Sequence, residues 1–197
     1  MKQNFEFLKK SIPNLEKFSE IVLKWQKSLN LISKNTVSDI WNRHILDSAQ
    51  LYLYLPADAA VLVDIGSGAG FPGIVLAILN KELNGPVRQF YLIESDVKKC
   101  IFLNEVVRQL DLPVRVINER IEKISDIKAD VLTARALADV STLLKWSEQL
   151  RSTQTTCLFL KGESVDQELE KLSSNFRIEK IPSLTDQKGI IIRIKGE

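Results

Sequence analysis

The sequence predicts an open α/β fold: a mostly parallel, seven-stranded sheet ending in an antiparallel hairpin, with a helical extension in front of it. Three patterns predict this. From residue 61 onward, short apolar runs alternate with helical segments in units of about 25 residues, the rhythm of βαβ crossovers and so of a parallel sheet. The last two apolar runs are joined only by a loop containing Ser183, Asp186 and Gly189, so they pair antiparallel. Before residue 61, apolar residues recur at steps of three and four, the period of an amphipathic helix. The expected division is a helical extension over 1–58 and an α/β domain over 59–197.

Leu15, Phe18, Val22, Trp25 and Leu29 form the apolar stripe of the first long helix. Pro13 suits its first turn, where a missing N–H costs nothing, so any earlier helix stops before it. A second helix is expected from Thr36, with Thr36 and Asp39 at capping-box spacing, to about Tyr54 ahead of Pro56. Five strands follow, over Val61–Ile65, Gln89–Glu94, Val114–Asn118, Asp130–Ala134 and Thr155–Lys161. Helices are expected at Asp96–Leu110, Asp139–Leu150 and Glu163–Ser174, and the closing hairpin pairs Phe176–Ile181 with Ile190–Lys195.

Apolar residues at 45% and charged residues at 26% exclude wholesale disorder. The N-terminal MKQNFEFLKK lacks the apolar core of a signal peptide, and no run approaches the roughly 20 apolar residues that span a bilayer. Cys100 and Cys157 are far apart and form no metal-like pair, so a reduced, cytoplasmic protein without a structural metal is expected. The net charge of +2 does not announce a nucleic-acid binder. Its surplus, however, lies in the first fifty residues. Lys10, Lys17 and Lys24 repeat every seven residues there, as a phosphate-facing stripe or an ordinary solvated face would.

The strongest local signal is Asp64-Ile65-Gly66-Ser67-Gly68-Ala69-Gly70-Phe71, between an apolar strand and the apolar segment Ile74–Leu79. Glycines let the backbone turn tightly and approach a ligand, and the following helix N-terminus suits an anion. A dinucleotide fingerprint needs G-x-G-x-x-G, but the sixth position here is Phe71 and the fifth is Gly70. The resulting D-x-G-x-G-x-G is the spacing of S-adenosylmethionine enzymes. Glu94 ends the second strand, 28 residues after Gly66, where a carboxylate can accept hydrogen bonds from both hydroxyls of a ribose.

Several further segments, in order along nearly the whole chain, resemble one family. They are Trp25 with Asn30-Leu31, Arg43-His44-Ile45-Leu46-Asp47-Ser48, the glycine loop extended by Phe71-Pro72-Gly73, Asn118-Glu119-Arg120-Ile121-Glu122, Arg135-Ala136 and Lys161-Gly162. Together they resemble the ribosomal RNA small-subunit methyltransferase G (GidB) family. The resemblance implies a class I methyltransferase, Rossmann-like fold. It also implies transfer of a methyl group from S-adenosylmethionine to guanine N7 in small-subunit ribosomal RNA or its assembly intermediate. Cofactor contacts are implied at Gly66, Phe71, Ile121, Glu122 and Arg135, to which the loop reading adds Asp64, Gly68, Gly70 and Glu94. The family carries Ser-Arg-Ala-Phe around the arginine, whereas this chain has Ala134-Arg135-Ala136-Leu137.

Arg43, His44 and Lys161 are candidate substrate contacts. His44, the single histidine, equally suits helix packing, and Arg43 with Asp47 at i, i+4 equally suits a surface ion pair. Trp25 sits on the apolar stripe and is expected in the core, while the two cysteines are expected as buried fillers. Guanine N7 has an exposed lone pair and no proton to lose, so no general base is assigned. A monomer is expected. A non-catalytic cofactor- or RNA-binding module, an NAD-dependent oxidoreductase, and a methyltransferase acting on protein or small molecules remain as alternatives.

Overall fold

The computed structural model describes residues 2–170, 172 and 175–196. The strands are β1 (Val61–Ile65), β2 (Gln89–Glu94), β3 (Val114–Asn118), β4 (Val131–Arg135), β5 (Thr156–Lys161), β6 (Phe176–Pro182) and β7 (Ile190–Gly196). They form one sheet in the order β3-β2-β1-β4-β5-β7-β6. The first five pair in parallel, while β7 runs antiparallel to both β5 and β6. The expected strands are all present, with ends shifted by no more than one residue.

The strand period of two divides the side chains between two cores. Leu62, Phe90, Leu92, Leu158 and Ile191 face one side, against α1 (Ile12–Trp25), α3 (Gly73–Glu82) and α4 (Val97–Leu110). Val63, Ile93, Cys157, Phe159 and Ile192 face the other, against α5 (Val140–Trp146) and α6 (Val165–Leu169). Gly73 to Asn80 of α3 are all buried, because the N-terminal helices close over the face of α3 that points away from the sheet. That burial explains why the segment is apolar all round rather than striped. The continuation expected for α6 runs into Lys171, Ser173 and Ser174, which lie outside the described residues.

The N-terminal stripe folds as its period dictates. Leu15, Phe18 and Val22 are fully buried, Pro13 occupies the first turn of α1, and Trp25 packs edge-on to Phe102 of α4 at 5.7 Å. Both cysteines are buried and unpaired. The expected single helix over 36–54 is a correction. Lys34–Asp39 is 3₁₀, Trp41–Leu46 is π-helical, Asp47–Ala49 makes one α turn (α2), and Gln50–Tyr54 is again 3₁₀. No capping box forms, because the Thr36 hydroxyl donates back to the Ser33 carbonyl and pairs with His44. Widened turns of this kind recur at functional sites. Here the helix surface is set by partners distant in sequence rather than by its own period.

Candidate active site: two clefts joined at Arg135

The site lies along the carboxyl ends of the strands, where open α/β sheets place ligands. The glycine loop begins it. Gly66, Gly68 and Gly70 all have positive φ, at 64°, 54° and 86°. At Gly66 the requirement is double, because a Cβ would also lie 2.5 Å from Leu137. At Gly68 a Cβ would make only an ordinary contact, 3.8 Å from the Gly66 carbonyl oxygen, and the dihedral alone demands glycine.

Glu94 ties this loop to β2. Its Oε2 accepts from the Gly68 N–H at 2.9 Å and its Oε1 from the Asp96 N–H at 2.8 Å. A carboxylate has about four acceptor positions, so each oxygen keeps one for a ligand. Together Gly66, Gly68, Phe71, Glu94, Ile121 and Glu122 line a cleft of about 350 Å³, closed by Leu31, Leu137 and Trp146. The sequence alone does not mark Leu31, Leu137 or Trp146 as contacts. Trp146, at the end of an ordinary amphipathic helix, carried no signal, whereas Leu137 lay next to the family's arginine.

Asp64 and Gly70 lie beneath the cleft rather than along it. Asp64 is fully buried, accepts from the Thr133 hydroxyl at 2.7 Å, and abuts Gly73 so closely that a Cβ there would lie 2.8 Å from Oδ2. Burial raises its carboxyl to about 6, against the pull of the Thr133 and Ser67 hydrogen bonds. It joins β1 to β4 and supports the loop from below.

Arg135, at the end of β4, is the wall shared with a second cleft. Its guanidinium lies over the Phe71 ring at 5.2 Å, and its Nη1 donates to the Arg43 carbonyl at 2.9 Å and approaches Asp47 Oδ2 at 3.4 Å. Its Nη2 donates to His44 Nδ1. Because an arginine can only donate, His44 Nδ1 must accept, so the ring proton is assigned to Nε2. Nε2 then donates to Thr36 Oγ1 at 2.8 Å, and Thr36 donates to the Ser33 carbonyl. Burial, then the charges of Arg135 and Arg43, push His44 down to about 3. It is a neutral link in a donor chain, and its ring packs at a tilt against Phe71 with centroids 5.0 Å apart. Burial likewise lowers the Arg135 guanidinium and raises the Asp47 carboxyl from their ordinary values, while each pulls the other back toward its charged form.

The second cleft, about 500 Å³, shares Leu31, Arg135 and Ala136 with the first. Ala136 has a positive φ of 51°, an uncommon conformation for a residue with a side chain, at the junction itself. The far wall is the β6–β7 loop. Arg43 pairs with Asp186 of that loop at 2.5 Å, not with Asp47, because Asp47 turns inward to Arg135. Lys161 also lines this cleft, but its side chain is only 10% exposed and its ammonium is already bound. It contacts Glu168 and the Ala138 carbonyl, both at 2.6 Å, and thereby ties β5 to α6.

The chain matches the family described as GidB, rRNA small subunit methyltransferase G, over residues 11–194. It is 41% identical over 189 residues to the ribosomal RNA small subunit methyltransferase G of Paramagnetospirillum magneticum, covering 95% of this chain and 89% of that protein. It is 43% identical to the protein of the same name from Dinoroseobacter shibae, covering 92% and 93%. The chain belongs to the rRNA small subunit methyltransferase G family.

More distant solved structures share the fold of this methyltransferase G family member. One is an rRNA methylase from Streptococcus thermophilus, with a TM-score of 0.54 at 13% identity, covering 76% of this chain and 94% of that one. Another is M. capricolum TrmK in complex with S-adenosyl-homocysteine, with a TM-score of 0.57 at 18% identity, covering 75% and 66%. Among the described residues no helix is long and apolar enough to cross a membrane. The N-terminal lysine stripe does not turn toward the clefts throughout. Lys17 donates to the Gln109 carbonyl at the end of α4, on the side opposite the strand carboxyl ends.

Proposed function

We propose that this chain transfers a methyl group from S-adenosylmethionine to N7 of a guanine in small-subunit ribosomal RNA or an assembly intermediate of it. The carrying observation is that the two clefts adjoin, with Leu31, Arg135 and Ala136 in the lining of both, and family membership supplies the reaction class. In this reading the first cleft takes the cofactor. Glu94 offers its two spare acceptors to the ribose hydroxyls. Ile121, 8% exposed, offers an apolar face to the adenine, and the backbone of Gly66 and Gly68 allows close approach. Glu122 stands at the cleft's rim, and Phe71 and Arg135 form its inner wall.

S-adenosylmethionine brings a methyl group on a sulfonium, a leaving group that needs no acid from the protein. The chain's own work is alignment and exclusion of water. N7 carries its lone pair freely, and His44 is unsuited to accept a proton because its free lone pair is held by Arg135. The flipped or exposed guanine enters from the second cleft. The protein acts as a cytoplasmic monomer, and Arg43 stands closest among the named substrate candidates to incoming RNA.

The test is transfer of labelled methyl from S-adenosylmethionine to unmodified small-subunit RNA, with digestion to nucleosides. Label in 7-methylguanosine is the expected result. Label confined to protein extract or small molecules, or binding of the cofactor without transfer, would overturn the reading. Preferential binding of NAD would return the loop to a dinucleotide role.

A further inference from the structure

We propose that the second cleft reads the target guanine through Asp186, whose carboxylate accepts the N1–H and the exocyclic 2-amino group of the base. This rests on the methyl-transfer reading above and identifies what selects its substrate.

The sheet order lays the ligand edge out in one line. The first cleft sits over β2, β1 and β4, and the second over β4, β5 and the β6–β7 loop. Lys161 at the end of β5 pairs with Ile190 at the start of β7. From Arg135 to that loop is therefore two strand spacings, about 10 Å. A flat purine spans such a gap with contacts at both ends. With N7 turned toward the first cleft, O6 lies beside N7. The N1–H and 2-amino hydrogens then project to the side turned away, where they need a double acceptor.

Two carboxylates line this cleft. Asp47 is occupied: Gln50 and Thr185 donate to its Oδ1, and Arg135 approaches its Oδ2. Asp186 is not. Its Oδ1 takes the Lys188 N–H at 3.0 Å and its Oδ2 takes Arg43 at 2.5 Å, which leaves a lone pair free on each oxygen. Its side chain is 32% exposed, enough to be met by a ligand. The Lys188 N–H and the Arg43 guanidinium also hold its carboxyl below the usual range, so it stays an acceptor near neutrality.

The loop that carries Asp186 is braced from the residues just after the π-helical segment, Asp47 in α2 and Gln50 at the start of the following 3₁₀ turn. Fully buried Gln50 accepts from the Leu184 N–H at 2.8 Å and donates to the Ser183 hydroxyl at 3.0 Å. Thr185 donates to Asp47 at 3.1 Å. Adenine would present the N1 lone pair to the same carboxylate and meet repulsion, so one group both favours guanine and rejects its rival.

The test crosses two perturbations. The modified guanosine is mapped with the parent protein and then replaced by inosine, which keeps N7, O6 and N1–H but lacks the 2-amino group. Parent and Asp186→Ala are each assayed for kcat/KM on both RNAs. Either change alone should cost roughly tenfold or more. Inosine should cost the variant little further, so the effects do not multiply. Affinity for S-adenosylhomocysteine should stay within about twofold of the parent. Asp186→Asn, which keeps the side-chain shape and one oxygen, repeats the cycle if the alanine variant folds poorly. Costs that multiply independently in either cycle would overturn the assignment of Asp186. A parent that puts no methyl on guanine N7 would instead overturn the reading on which it rests.

Discussion

Glu94→Ala separates the hold of this carboxylate on the glycine loop from its proposed hold on the ribose. Its oxygens accept the Gly68 and Asp96 N–H groups at 2.9 and 2.8 Å, and the residue is 8% exposed. Hydrogen bonds to a charged acceptor contribute ~1.5–3 kcal/mol each. The cleft is open, so water can rescue the two orphaned donors, and the low end applies. The expected loss is about 3 kcal/mol for the pair. In a chain of 197 residues this lowers Tm by about 6–12 °C. That part is read by thermal unfolding without ligand. The second role concerns the two spare acceptors. Each ribose bond lost should weaken S-adenosylhomocysteine binding roughly tenfold, and both together roughly a hundredfold. A disordered loop could weaken binding indirectly, so calorimetry should include 2′-deoxy and 3′-deoxy analogues of the ligand. The parent should lose affinity with each missing hydroxyl, while Glu94→Ala should be indifferent to them. A parent that binds the deoxy ligands as tightly as the ribose form would reduce Glu94 to a loop anchor.

Other perturbations test the remaining parts. With His44 near 3 in the folded chain and about 6.5 unfolded, its contribution to stability is full above about pH 6.5 and is lost as pH falls from there toward 3. His44→Gln should flatten that acid limb in Tm against pH, while single-turnover methylation stays level between about pH 6.5 and 8.5 in parent and variant alike. A tenfold rise per pH unit, abolished by the substitution, would make His44 a base and defeat N7 as the target. Asp64 acts with the opposite sign, since its raised carboxyl favours the fold below about 3.8 and that advantage is lost as pH rises through about 6. Removing its partner with Thr133→Val should cost ~1–3 kcal/mol in chemical denaturation, and an unchanged midpoint would refute the buried bond. Gly66→Ala should lower both stability and cofactor affinity, the strained dihedral alone costing ~1–2 kcal/mol. Adding Leu137→Ala should restore part of the loss, and no restoration would place the strain wholly in the backbone. Lys10, Lys17 and Lys24 changed together to Gln should leave the salt slope of RNA binding nearly unaltered, because Lys17 serves the end of α4. A flattened slope would return that stripe to the RNA interface.

The strands were legible because each apolar run is bounded by residues that end it. Val61–Ile65 stops at Gly66, and Gln89–Glu94 stops where the carboxylate turns to the loop. The glycine loop and the strand-end acid point by themselves to Gly66 and Glu94, and the family resemblance adds Phe71, Ile121, Glu122 and Arg135, all along one cleft. What the sequence hid depends on partners far away. Asp64 reads as part of a ligand motif, yet Thr133 on a neighbouring strand holds it underneath. Arg43 and Asp47 have the spacing of a helical ion pair, but Asp186 and Arg135 take them in opposite directions. The same pulls override the α period between Lys34 and Tyr54. Lys161 shows the reverse error, since its place at a strand end was read correctly while Glu168 already neutralises it.

The contact between Arg43 and Asp186 joins positions 143 apart in the chain. Folding during synthesis proceeds from the N-terminus, and contacts so far apart form late. The first cleft draws its lining from residues up to Trp146, so all of that lining is synthesised before the closing hairpin. The second cleft cannot, because its outer wall begins at Ser183. A growing chain thus contains the whole lining of the first cleft before it contains the outer wall of the second, and completion of the second waits for the last strand pair.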